Sequence, residues 1–284
     1  MESELKSAAE ILAEADALLI TAGAGMGVDS GLPDFRGDEG FWRAYPPYRK
    51  LGKSFVEMAN PAAFDSDPAF AWGFYGHRLH LYRETTPHNG FQVLREWGEK
   101  MRLGSFVMTS NVDGHFEKAG FDESRIYEVH GSIHHLQCSG PCAAGKIWSA
   151  SEVDLEIDES TMRAVGDLPL CPDCHRVARP NILMFGDGGY LEDRNAFQYE
   201  RLDRWLQEAA DSRIAIVEMG AGSAVPTVRL FSERVTRSHQ GATLIRINPR
   251  EPVVPPLQKA ISLSMPAGEA LHRLDALAAP LWNA

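Results

Sequence analysis

The sequence has no apolar run approaching the roughly 20 residues that a membrane-spanning helix needs. Its first residues, Met-Glu-Ser-Glu-Leu-Lys, lack the basic stretch and apolar core of a secretory signal. Basic charge is scarce: 28 Lys and Arg stand against 39 Asp and Glu, a formal net charge of −11. Non-specific nucleic-acid binding, which needs a cationic surface, is therefore disfavoured. Cysteine is sparse too. Four residues in 284 are cysteine, all between positions 138 and 174. A cytoplasmic setting is expected, where such thiols are reduced or metal-bound and do not form a disulfide framework. The sequence contains neither an internal repeat nor a low-complexity tract.

Apolar residues make up 44% of the chain, enough for a sizeable core and against global disorder. Leu5, Ala8, Ala9, Ile11, Leu12 and Ala15 recur at helical spacing, with Ser3 placed to cap. An apolar strand over 17–21 then runs into Thr21-Ala-Gly-Ala-Gly-Met-Gly-Val-Asp-Ser-Gly-Leu-Pro-Asp-Phe-Arg-Gly37. Glycines at this density let bare backbone N–H groups approach an anion. The spacing Gly23-x-Gly25-x-Gly27 does not fit the dinucleotide fingerprint Gly-x-Gly-x-x-Gly, so a phosphate cradle and a tight strand-to-helix connection both remain open.

Strands expected at 105–109, 126–129, 213–218 and 243–247 alternate with helices near 88–100, 198–210, 226–238 and 267–277. This alternation predicts an α/β fold, a doubly wound, Rossmann-like parallel sheet. Ligands bind such sheets at the carboxyl ends of the strands. Thr21, Ser110, His130, Met219 and Asn248 all fall there, which places Asn111, Asp113 and His130 on one rim. A neutral imidazole on that rim can take a proton from a hydroxyl, and Asn and Asp can hold sugar hydroxyls or an amide. The aromatic, proline-interrupted stretch 40–85 reads as a helical insertion, its best helix running from about Asp67 to Arg83. An extended segment is expected at 181–185. The expected division is a discontinuous nucleotide domain (1–39, 86–132 and 180–284), the insertion (40–85) and a small metal module (133–179).

The module rests on Cys138-x3-Cys142, a spacer of 28 residues, and Cys171-x2-Cys174. Two close pairs offer four thiolates at the corners of a tetrahedron, which suits one structural zinc with no open coordination position. His134, His135 and His175 are possible substitute ligands.

At this point the chain resembles the sirtuins. Gly23–Gly37 is similar to their first signature, and Thr109-Ser-Asn-Val-Asp113 to their Thr-Gln-Asn-Ile-Asp segment. His130-Gly131 falls where their His-Gly pair does, shortly before the cysteines. Arg179-Pro-Asn-Ile-Leu-Met-Phe-Gly-Asp187 resembles Arg-Pro-x-Val-Val-x-Phe-Gly-Glu. Gly220-Ala-Gly-Ser-Ala-Val-Pro226, Ile247-Asn248 and Pro266-Ala-Gly-Glu269 resemble later family segments, in family order.

The resemblance implies NAD-dependent removal of acyl groups from protein lysine, yielding nicotinamide and O-acyl-ADP-ribose. His130 would be the general base, and Asn111 would hold the ribose and a water. Asp113 would bind the nicotinamide carboxamide. Gly23, Ala24, Gly25, Asp34 and Arg36 would form the loop contacting phosphates and adjoining ribose, with Phe35 covering the reacting ribose. Gly220, Ser223 and Asn248 would hold the adenosine half. Segment 181–187, with Met184, Phe185 and Gly186, would line the acyl-lysine tunnel and pair with the substrate backbone.

Tyr75-Gly-His-Arg78 is similar to the Tyr-x-x-Arg pair of sirtuins that prefer acidic acyl groups. The alternative is a helix with one buried aromatic and one solvated arginine. Three departures are visible: Gly27 in place of Ser, Ser110 in place of Gln, and three residues between the first cysteines instead of two. Two other functions stay open on the same scaffold, ADP-ribosyl transfer or NAD hydrolysis, and non-catalytic NAD sensing.

Overall fold

The computed structural model describes residues 1–33, 37–256 and 259–282. Helix α1 (Glu2–Glu14) delivers β1 (Ala17–Ala22), which runs into two 3-10 turns, Ala24–Met26 and Val28–Ser30. Next come α2 (Gly37–Ala44), α3 (Pro46–Lys50), α4 (Phe55–Met58), α5 (Ala62–Ser66) and the long α6 (Pro68–Glu84). Helix α7 (Gly90–Lys100) leads to β2 (Ser105–Thr109), and α8 (His115–Lys118) to β3 (Ile126–Glu128). Short strands follow: β4 (Gly131–Cys138), β5 (Ile147–Ser149), β6 (Glu156–Asp158), β7 (Arg163–Val165) and β8 (Ala178–Ile182). The chain then alternates through α9 (Asp193–Glu208), β9 (Ile214–Met219), α10 (Thr227–Ser238), β10 (Ala242–Ile247), β11 (Ala260–Leu263) and α11 (Ala267–Trp282).

Six strands form one parallel sheet in the order β11-β10-β9-β1-β2-β3. Both faces are covered, so β1 and β9 are buried along their whole length, as parallel strands flanked by helices must be. Alternate side chains serve opposite cores. Leu18 and Ile20 pack with Leu5, Leu12, Trp97 and Leu271 from α1, α7 and α11. Leu19 packs with Trp205, Val228 and Val235 from α9 and α10. The chain moves from β1 outward to β3, returns to the other side of β1 as β9, and continues outward to β11. The direction of winding therefore reverses between β1 and β9, where the carboxyl ends splay into a crevice.

A third apolar cluster joins the insertion to the metal module. Phe41, Tyr48, Phe64, Trp72, Phe74 and Tyr75 pack with Ile133, Leu136, Ala150 and Met162. Helix α6 is buried on nearly every side, consistent with its lack of a polar face. The β6–β7 hairpin rides on it. A Cβ at Gly73 would lie 2.0 Å from the Met162 carbonyl oxygen, and one at Gly76 would lie 2.9 Å from Ile157. Arg163 fixes the hairpin with two bonds to Asp67, of 2.6 and 2.9 Å.

The parallel sheet, its alternation and the long helix of the insertion match the sequence reading. Four local features differ from it. Ser3 does not cap α1: the helix starts from Met1, and the Ser3 hydroxyl donates to Glu4. Strand β11 was not expected, because its four residues, Ala-Ile-Ser-Leu, are too few to show a pattern. Of the segment expected to be extended at 181–185, only Asn181 and Ile182 are strand, ending β8 at the edge of the antiparallel sheet β5-β4-β8, and the chain turns after them. The helix expected at 198–210 begins earlier, at Asp193. Among the described residues, no helix is long and apolar enough to cross a membrane.

The reversal point allows no added side chain. Gly220 has φ +60, and a Cβ there would lie 2.4 Å from Gly25 Cα. Gly220→Ala is expected to destabilise the fold by about 2–4 kcal/mol, combining left-handed backbone strain with overpacking. Denaturant titration of the two proteins measures it, and equal midpoints would contradict this geometry.

Candidate functional site

The carboxyl ends of β1, β2, β3, β9 and β10 assemble the site, and backbone hydrogen bonds fix each loop against its neighbour. The Gly23 N–H donates to the Met219 carbonyl (3.0 Å) and the Gly25 N–H to the Gly220 carbonyl (3.1 Å), so the loops after β1 and β9 are locked together. A Cβ at Gly23 would lie 2.9 Å from Ala221 Cα. Beyond this contact the chain turns helically at Ala24–Met26, with Ala24 exposed and Gly25 half-buried. Gly27 follows with φ −78, a conformation open to any residue. The nearest atom a Cβ there would meet is Leu32 Cδ1, at 3.1 Å, the end of a side chain. The departure at Gly27 therefore removes a hydroxyl without serving a backbone need. Asp34, Phe35 and Arg36 lie outside the described residues.

On the other side of β1, Thr109 organises the turn after β2. Its hydroxyl donates to the Ala22 carbonyl (3.0 Å) and accepts from the Asn111 N–H (3.0 Å). Asn111 Nδ2 donates to the Gly23 carbonyl at 3.1 Å, tying its carboxamide directly to the glycine loop. Asp113 is buried, and one carboxylate oxygen accepts from the His115 N–H (3.0 Å). His134 Nε2 bonds the Asp113 carbonyl at 2.9 Å, which employs His134 in positioning the loop and not as a metal ligand. Behind this turn, Thr109, Asn111, Asp113, Glu117 and Glu128 line a small cavity. Burial pushes the Glu128 carboxyl up to about 7, partly offset by Arg194 beside it.

His130 follows β3 and is half-buried. Burial lowers its basicity below the ordinary histidine value, and a hydrogen bond to the Ser110 backbone partly offsets this. The folded imidazole is therefore neutral at pH 7 and able to accept a proton. Its carbonyl receives the Leu183 N–H (2.9 Å), which ties the histidine to the segment after β8.

That segment holds Met184 buried, with Phe185 and Gly186 exposed. The Phe185 N–H bonds the Ala59 carbonyl (2.9 Å), and its ring meets Phe55 edge-on, so it bridges His130 to the insertion. A clamp whose pairing no local pattern marks lies beneath it. Arg179 and Asp187, both fully buried, form a two-pronged ion pair of 2.8 and 2.9 Å. Asp187 also accepts from the Met184 and Gly189 N–H groups. The signal was present in the two ends of the Arg179–Asp187 motif, but pairing across seven intervening residues requires the turn between them.

Tyr75 and Arg78 share one face of α6. Both are buried, so the solvated-arginine alternative fails. The Tyr75 hydroxyl has no hydrogen-bond partner among the described residues. The Arg78 guanidinium lies over the rings of Phe74, Tyr75 and Tyr82 at 5.1, 5.6 and 5.4 Å.

At the far rim the Asn248 carboxamide is engaged internally. Nδ2 donates to the Ala221 carbonyl (2.9 Å), and Oδ1 accepts from the Arg250 and Glu251 N–H groups (3.0 Å each). Ser223 is exposed, and both its N–H and its hydroxyl bond Glu251. Glu251 was not foreseen, since nothing local in its sequence marks it. Arg229 anchors the same turn through the Ala221 and Glu251 carbonyls.

Apart from the rim, the four cysteines converge. All four Sγ atoms lie within 4.8 Å of one another, with Cys138–Cys174 at 3.5 Å and Cys142–Cys171 at 3.9 Å. Disulfide sulfurs stand about 2.05 Å apart, which excludes that reading. Zinc held at about 2.3 Å by four thiolates sets sulfurs about 3.8 Å apart, so this donor set fits one structural zinc. The sites of His134 and His135 on β4 lie outside the cluster.

A model of the Sir2 family matches residues 23–210. The chain is 31% identical over 278 residues to an NAD-dependent protein deacylase of Aeropyrum pernix, covering 97% of each protein. It is 28% identical over 263 residues to NAD-dependent protein deacylase 1 of Archaeoglobus fulgidus, covering 93% of each. Among solved structures, a complex of a Sir2 homologue with NAD is similar at 26% identity and TM-score 0.69, over 99% of this chain and 95% of that one.

The cysteine geometry predicts one zinc per chain by elemental analysis. Cys142→Ser is expected to release the metal and lower Tm, because the thiolates hold the end of β4 to the segment that leads into β8. A metal-free wild-type protein of unchanged stability would overturn the assignment.

Proposed function

This chain belongs to the Sir2 family, and on that premise we propose that it removes acyl groups from protein lysine side chains with consumption of NAD, releasing nicotinamide and O-acyl-ADP-ribose. The observation that carries this reading is the convergence of the Gly23–Gly25 turn, Gly220, Asn111, Asp113 and His130 on one rim, at the point where the sheet reverses its winding. NAD, when bound, supplies the ribose carbon that receives the acyl oxygen and releases nicotinamide.

The chain's own residues have separable tasks. Gly23, Ala24, Gly25 and Gly220 present backbone to the pyrophosphate. Asn111, pinned to the Gly23 carbonyl, reaches the ribose from a fixed position. The Asp113 carboxylate accepts from the nicotinamide amide. His130, neutral at pH 7, takes a proton from a ribose hydroxyl as general base. Ser223 is assigned to the adenosine half, with Asn248 holding that turn through the Ala221 carbonyl, and the family resemblance assigns Asp34, Phe35 and Arg36 to the phosphates and the reacting ribose. The segment Met184–Gly186, set by the Arg179–Asp187 clamp, borders the acyl-lysine tunnel. We assign 1–39, 86–132 and 180–284 to the NAD domain, 40–85 to the insertion and 133–179 to the zinc module, in a cytoplasmic protein.

Within this reading we propose a preference for acyl groups that end in a carboxylate. Two observations support it. Arg78 keeps its charge although it is buried, and the Tyr75 hydroxyl near it is unpartnered among the described residues. An arginine fork with a phenol is a suitable receptor for a carboxylate.

Mass spectrometry of products after incubation with NAD and acylated peptides is expected to show O-acyl-ADP-ribose and free lysine. His130→Ala is expected to lose about 10²-fold or more of turnover while NAD binding persists. Unchanged NAD consumption in that variant, or free ADP-ribose as the sole nucleotide product, would sink the proposal. Arg78→Met is expected to lower kcat/KM for succinyl-lysine about tenfold more than for acetyl-lysine. Equal losses on both would count against a carboxylate receptor.

A further inference from the structure

The sequence pair Tyr75 and Arg78 has a third member on the same helix face. Tyr82 stands four residues beyond Arg78, one turn along α6, and is 4% exposed. Its hydroxyl oxygen accepts from Arg78 Nε at 3.0 Å and from Arg78 Nη2 at 2.8 Å. A guanidinium has five N–H donors in one plane. Two of them on a single oxygen fix both the position of that plane and its rotation about the side-chain axis. An arginine stem otherwise has several rotatable bonds, whose freedom must be given up when a ligand binds.

Tyr82 is itself immobilised. The next residue, Arg83, donates to the Ala150 carbonyl (2.7 Å) and the Val153 carbonyl (2.6 Å) of the metal module. Lys118 Nζ, from α8, donates to the Thr85 carbonyl (2.7 Å) and also to that of Arg83. The end of α6 is thereby fastened to two other parts of the molecule, and Tyr82 passes that rigidity to Arg78.

We propose that Tyr82 is a positioning residue that holds the Arg78 fork ready for an acyl-group carboxylate. The assignment rests on the acidic-acyl reading above. It makes selectivity a property of three residues, Tyr75, Arg78 and Tyr82, at i, i+3 and i+7. Pre-setting the fork lowers the ordering cost of binding, so its effect belongs in KM for acidic substrates more than in kcat.

The test is a double-mutant cycle on Tyr82→Phe and Arg78→Met, with succinyl-lysine and acetyl-lysine peptides under saturating NAD. Tyr82→Phe removes one oxygen and keeps the ring. It is expected to lower the succinyl-to-acetyl ratio of kcat/KM about tenfold, mainly through KM for the succinyl peptide. In the Arg78→Met background the same change is expected to leave the ratio where Arg78→Met alone puts it, because Tyr82 acts through Arg78. A wild type that does not favour succinyl-lysine overturns the acidic-acyl reading and this assignment with it. A selective wild type whose ratio survives Tyr82→Phe, or additive effects in the cycle, overturns the Tyr82 assignment alone.

Discussion

Where β1 and β9 end side by side, two loops must leave the sheet through the same space. Gly23 and Gly25 on one, and Gly220 on the other, make this possible because their backbones touch. Two hydrogen bonds across the contact leave the loops in one relative position. Asn111 then attaches the turn after β2 to the same point through the Gly23 carbonyl, and Thr109 attaches it through Ala22. On the other flank, the Gly220 N–H bonds the Ile247 carbonyl, and Asn248 bonds the Ala221 carbonyl. The whole rim is thus referenced to one backbone crossing. Apart from Arg229 and Glu251 on the far rim, the bonds that set it come from backbone groups and short side chains, which have little freedom to lose.

The acyl side is built differently, from buried charge and aromatic packing. The Arg179–Asp187 pair is fully enclosed, and its carboxylate also accepts two backbone N–H groups. Breaking such a pair from one side costs far more than the pair contributes, so it acts chiefly to hold the Met184–Gly186 segment in a single shape. Arg78 is buried among rings and a phenol oxygen. The metal module and the insertion share one apolar core. The four thiols converge in the same module, where β4 ends.

Much of this was legible in the chain. The runs at 17–21 and 213–218 read as strands because parallel strands covered on both faces are rich in apolar residues, and they fold as Ala17–Ala22 and Ile214–Met219. The two cysteine pairs read as a tetrathiolate because short spacing alone brings each pair together. Strand β11 was not legible, since four residues carry too little periodicity. The Glu251 clamp on Ser223 and the Asp187 clamp on Arg179 join residues 28 and 8 positions apart, and their pairing follows from the path of the chain.

By itself the sequence determined the α/β class, the residues at the strand ends, the thiolate set and the family signature. Each of these is written in local patterns a few residues long. Tertiary structure alone decided that Arg78 is buried and that Tyr82 holds it. It also set Gly220 against Gly25 and gave His134 to the Asp113 loop instead of to a metal. These outcomes depend on which surfaces meet after the chain has crossed itself, and neither helical nor strand periodicity encodes that meeting.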